Sequence, residues 1–109
     1  MKFFILDDFL AVGSYTPDNV KAEMFDYGTG SWTTVPDYPF ASGSGFGYYD
    51  MIYVPATSAY YVIGGFDGNN LATIAMFKNG AWSEAGQLNT ARHVSFCSVV
   101  SVSKLLIQF

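Results

Sequence analysis

Three apolar runs lie between Tyr60 and His93: residues 60–63, residues 71–77 and a short one around Trp82. They are separated by Gly64-Gly65, by Asp67-Gly68-Asn69-Asn70 and by Asn79-Gly80. Each separator is a turn signal, so the pattern predicts short strands joined by tight connections. Asn79-Gly80 favours a two-residue type I′ hairpin, because both central residues need positive φ and only Asn and Gly supply it cheaply. That hairpin sets Phe77 directly across from Trp82. Such an aromatic pair is worth roughly 0.2–1 kcal/mol over Ala–Ala, which fixes register without deciding the fold.

The same punctuation runs along the rest of the chain. Residues 3–6 and 9–13 read as strands on either side of an acidic turn at Asp7-Asp8, followed by strands over residues 20–25 and 32–35. Pro36 and Pro39 bracket a link, since proline cannot donate into a strand ladder. Residues 46–54 read as one long aromatic strand, 55–58 as its turn and 59–63 as its return; after Arg92-His93, residues 94–100 and 104–109 open another hairpin.

The stretch repeats. Setting Trp32 over Trp82, fifty positions apart, puts Phe25 on Phe77 if the first loop is two residues longer, with Tyr27-Gly28-Thr29-Gly30 standing where Asn79-Gly80 stands. Ala11-Val12-Gly13-Ser14 then falls on Val62-Ile63-Gly64-Gly65, and Val35-Pro36-Asp37-Tyr38 on Ala85-Gly86-Gln87-Leu88. A period near fifty with several short strands per unit is the signature of a β-propeller blade.

Ile63-Gly64-Gly65, the aromatic Phe77, Trp82, Leu88 and Ala91-Arg92 resemble one kelch repeat: an apolar strand ending in Gly-Gly, then an aromatic, a Trp and an Arg. The first copy keeps Phe25, Asp26, Thr29 and Trp32 but has Gly13-Ser14 for the Gly-Gly and Ser42 for the Arg. The resemblance implies an all-β chain of antiparallel four-stranded kelch-type blades forming a partial β-propeller. Blade one would occupy residues 1–35, blade two residues 43–86, and the inner hairpin of a third residues 94–109. Propellers close with 4–8 blades, so the chain reads as part of a longer one whose open blade edges invite self-association.

Composition narrows the function. Half the 109 residues are hydrophobic and 13% are charged, too apolar for disorder and too interrupted for a membrane span. At this length about two-thirds of the unfolded surface can be buried. A net charge of −4 with five Lys plus Arg leaves no basic patch for a phosphate backbone, so nucleic acid is not an expected partner. The single cysteine, Cys97, allows no internal disulfide and fits a reducing, cytoplasmic setting.

Candidate chemistry is sparse. One His and one Cys do not make a zinc set, and Asp67, Asn69 and Asn70 lack the Gly and distal Glu of an EF-hand loop. No metal or cofactor is expected. Cys97 reads as a small buried hydrophobe, and His93 as either a surface contact or a solvated turn residue. Gly64-Gly65 reads as a place where the backbone leaves an inner strand sharply and packs close to the neighbouring blade. Trp32 and Trp82, at equal positions in two copies, read as packing residues. Arg92 reads first as an arginine hydrogen-bonded to carbonyls of the adjacent blade, and second as a ligand for an acidic peptide, which kelch propellers hold with arginines near their inter-blade loops.

The resemblance implies a protein-interaction module, of the kind that recognises substrates for ubiquitin ligases. The alternative is a fragment of a galactose-oxidase-like kelch enzyme, whose copper centre would need Tyr and His ligands and a cross-linked Cys. Shared Gly13, Phe25, Trp32, Gly64, Gly65, Phe77 and Trp82 are assigned to architecture. Recognition of an unidentified protein partner is expected in the loops that differ between copies, at Tyr15, Phe66, Asp67, Asn69, Arg92 and His93.

Overall fold

Turn chemistry is what divides the chain into strands. A computed structural model describes residues 8–13, 20–41 and 46–93. Within them the chain is all-β, with seven strands in two open antiparallel sheets. The first sheet holds β1 (Phe9–Val12), β2 (Ala22–Asp26) and β3 (Ser31–Val35) in that order. The second holds β4 (Asp50–Val54), β5 (Ala59–Ile63), β6 (Thr73–Lys78) and β7 (Ala81–Gln87). Each strand pairs with its successor, so both sheets are simple meanders. The strands expected over residues 3–6, 94–100 and 104–109, and with them Cys97, lie outside the described residues, as do Tyr15 and Ser42. No helix of the described residues is long and apolar enough to cross a membrane.

Asn79 and Gly80 adopt φ of 53° and 78°, both positive as the hairpin requires, and Phe77 faces Trp82 with ring centroids 4.9 Å apart. In the first sheet the four-residue turn 27–30 does the same work. The Asp26 carboxylate accepts from the backbone N–H of Gly28 (2.8 Å) and of Thr29 (3.3 Å), and Phe25 faces Trp32 at 5.1 Å.

The two sheets share a hydrogen-bond register over three strands each. Phe9 pairs with Phe25 as Tyr60 pairs with Phe77, and Val12 with Ala22 as Ile63 with Ile74. At one end Gly13 N–H donates to Lys21 C=O at 2.7 Å, and Gly64 N–H to Thr73 C=O at 3.0 Å. Beyond the third strand of each unit, Tyr38 N–H donates to Val20 C=O and Leu88 N–H to Ala72 C=O, both at 2.7 Å. The units differ at a bulge in the β6–β7 pairing, where Ile74 faces Gly86 and Ala75 faces Glu84. Ala85 is the extra residue there.

The long strand expected over residues 46–54 begins only at Asp50. Tyr48 takes φ of 52° and interrupts the extended run, while Gly47 forms an isolated bridge with Phe66. Phe46 is thereby released from the ladder into the core.

That core lies between the sheets. Leu10, Val12 and Ala22 project from the back of the first sheet, Val62, Ala75 and Phe77 from the front of the second, and Tyr38 and Phe46 come from the connection between them. Tyr38, Phe46 and Tyr49 stack in series, with centroids 4.4 and 5.0 Å apart and interplanar angles of 8° and 12°. Trp82 sets its edge on Tyr38 at 5.2 Å and donates its indole N–H to Pro36 C=O at 2.8 Å. The hydroxyls of Tyr49 and Tyr60 donate to the carbonyls of Val12 and Asp8, adding two further links between sheets. The two tryptophans therefore part company: Trp82 is half-buried against the first sheet, whereas Trp32 is 52% exposed.

Candidate functional site

Three backbone segments are tied together at the end of β5, and the double glycine is the knot. Gly64 and Gly65 take φ of 68° and 117°, values that side chains disfavour. A Cβ on Gly64 would lie 2.5 Å from the Arg92 carbonyl oxygen, and one on Gly65 3.0 Å from the Phe46 ring. Without side chains, Gly65 N–H donates to Arg92 C=O, Arg92 N–H to Leu71 C=O and Leu71 N–H to Gly65 C=O, each at 2.9 Å. Gly47 and Phe66 exchange two more backbone bonds, at 2.8 and 3.0 Å. The two glycines are thus a place of close approach, but to the loops of their own unit at Arg92, Leu71 and residues 46–49, not to a neighbouring one.

This frame gathers side chains from three loops. His93 lies between two aromatic rings, with centroids 5.7 Å from Phe66 and 6.0 Å from Tyr48, both edge-on. Its Nδ1 is 2.7 Å from Asn70 Oδ1, so with the amide in this orientation Nδ1 is the donor. Asp67 caps its own turn, its carboxylate accepting from Asn69 N–H at 3.3 Å. The Arg92 side chain is exposed, and its Nε donates to Thr90 C=O at 3.2 Å. That carbonyl belongs to its own loop, and the Arg92 main chain bonds Gly65 and Leu71 of the same unit, not the carbonyls of an adjacent one.

Five of the six residues expected to serve recognition are therefore placed in the loops at this end of the second sheet: Phe66, Asp67, Asn69, Arg92 and His93. The sixth, Tyr15, lies outside the described residues. Two members were not foreseen. Tyr48, 65% exposed, was assigned to a strand interior, and the neighbouring Gly47 is the only local hint that the strand stops short. Asn70 belongs to the turn signal at residues 67–70, and nothing local in the sequence brings it to a histidine 23 positions away.

The site offers aromatic edges, an imidazole, a guanidinium and side-chain amides on exposed loops. That inventory suits holding a ligand by stacking and hydrogen bonds. Among the described residues, no group of three or more His, Cys, Asp or Glu stands together to hold a metal ion. Beneath the loops the Tyr38 hydroxyl is buried without a hydrogen-bond partner. Burial first, then the carboxylates of Asp67 and Glu84, push its pKa up to about 12. Burial also raises that of Tyr49. No protein-family model matches this chain, and no curated protein matches it.

Proposed function

We propose that this chain is a protein-interaction module of the kelch-propeller type, which presents the loops beside Gly64-Gly65 to a protein partner. The observation that carries the reading is the gathering of Tyr48, Phe66, His93 and Arg92 on loops fixed by backbone hydrogen bonds to a β scaffold. Loops held in this way concentrate binding residues while the scaffold supplies rigidity. Support for the kelch type comes from the Gly-Gly, aromatic, Trp and Arg order of residues 63–92, of which the aromatic and the Trp recur in the first copy at Phe25 and Trp32.

The chemistry of the loops selects the kind of partner. A guanidinium grips a carboxylate with two parallel hydrogen bonds, and the aromatic edges beside it accept apolar or aromatic side chains. A peptide segment with an acidic residue next to an apolar one fits both. A role in recruiting substrates to a ubiquitin ligase is the narrower form of this proposal, set in the cytoplasm, where a chain with one cysteine needs no disulfide.

The test is alanine substitution of Tyr15, Phe66 and Arg92 together in the full-length protein, followed by recovery of bound proteins from a lysate. The triple variant is expected to retain its β circular dichroism and lose its specific partners. Undiminished recovery from a folded variant would end the proposal.

A further inference from the structure

The shared register places equivalent residues on equivalent faces of the two sheets, yet among the described residues only one of those faces is covered. On the front of the second sheet stand Tyr60, Phe77 and Trp82; their counterparts on the first sheet are Phe9, Phe25 and Trp32. Phe77 is buried, because the back of the first sheet, with Leu10, Val12, Ala22 and Met24, lies over that front. Among the described residues, the first sheet's own front has no such cover. Phe9 and Trp32 are 51% and 52% exposed, on either side of Phe25, with Tyr27 edge-on at the turn. Contiguous exposed aromatics of this sort mark interaction surfaces.

What would cover it is also in the molecule. The residues that correspond to Leu10, Val12, Ala22 and Met24 on the second sheet are Tyr61, Ile63, Ile74 and Met76. They form an apolar back face, and each retains part of its surface. One step of the sheet-to-sheet interface already present therefore carries the back of a second sheet onto the front of a first sheet.

We infer that the front of the first sheet, at Phe9, Phe25 and Trp32, docks the back of the second sheet of another copy of this chain. The contact is head to tail, with unlike surfaces meeting, so it adds copies in series until a ring closes. It uses sheet faces, whereas open strand edges were the route to self-association read from the sequence. It is independent of the loop site, since none of the loop residues takes part.

One residue on the face gives a variant that does not rest on disruption. Glu23 is exposed where its counterpart Ala75 is buried, so docking would take a carboxylate out of water. The experiment is light scattering on the full chain across a concentration series, for the parent, Trp32→Lys and Glu23→Ala. The parent mass is expected to rise above 11.9 kDa in multiples as concentration increases. Trp32→Lys should stay monomeric at every concentration with its β circular dichroism intact, and Glu23→Ala should associate at concentrations several-fold lower than the parent. A parent that stays monomeric throughout would overturn the inference and leave the face to a sheet from a different chain. So would a Trp32→Lys variant that associates as the parent does, or a Glu23→Ala variant that associates less.

Discussion

At the scale of single residues, two positions carry more than their size suggests. Gly64 combines a positive φ with an approach of its missing Cβ to a main-chain oxygen, which cannot rotate away as a side-chain tip could. Gly64→Ala should therefore cost at least about 2 kcal/mol, the sum of left-handed strain and a displaced Arg92 carbonyl. The loss would appear as a lower denaturant midpoint and weakened protection of the Gly65 and Arg92 amides. Tyr38 is the second. Its native pKa of about 12 lies above the unfolded value near 10, so the native state holds the neutral phenol. Its contribution is fully present below pH 10 and is lost as the pH climbs toward 12; the difference is worth at most about 3 kcal/mol. Tyr38→Phe removes the buried, unpartnered hydroxyl. It is expected to raise stability by about 1 kcal/mol near neutrality and to flatten the alkaline loss down to the part that Tyr49 supplies. Urea midpoints near neutral pH and at about pH 11 measure both effects.

At the scale of elements, the paired hairpins make a controlled comparison. Phe25–Trp32 and Phe77–Trp82 have nearly the same ring separations, but only Trp82 reaches the other sheet, through Tyr38 and the Pro36 carbonyl. Trp82→Ala should cost about 2–4 kcal/mol, somewhat below a fully buried aromatic, and Trp32→Ala under about 1 kcal/mol in the monomer. Equal losses in thermal or denaturant unfolding would mean that the sheets do not share the interface described. The same pair shows what the sequence can and cannot carry. Asn79-Gly80 was legible because a φ constraint is local, and the fifty-residue alignment was legible because turn and aromatic spacing map directly onto strand register. Neither says whether a face is covered, so Trp32 and Trp82 looked alike. The break at Tyr48 was hidden for a related reason: it is set by the Gly47–Phe66 bridge, made with a loop distant in sequence. Differences between copies single out five residues that the structure places on these loops, but the structural importance of Arg92 lies in its carbonyl and amide, which every residue has.

At the scale of the whole molecule, the placement of the core determines how the chain unfolds. The first sheet contributes three buried side chains to it, Leu10, Val12 and Ala22, and the second three, Val62, Ala75 and Phe77. The buried side chains of both sheets meet in one cluster with Tyr38 and Phe46, so detaching either sheet would bring the buried face of the other into water. The sheets are therefore expected to form and melt as one unit. The two tryptophans allow this to be measured, because each sits on a different sheet. A Trp32→Phe variant leaves Trp82 reporting on the interface, and a Trp82→Phe variant leaves Trp32 reporting on the first sheet alone. Fluorescence midpoints in urea are expected to coincide with the circular dichroism midpoint in each variant, as a two-state transition requires. If Trp32 fluorescence changed at lower urea than circular dichroism in the Trp82→Phe variant, the first sheet would be detaching by itself, and the shared core would not be what holds it.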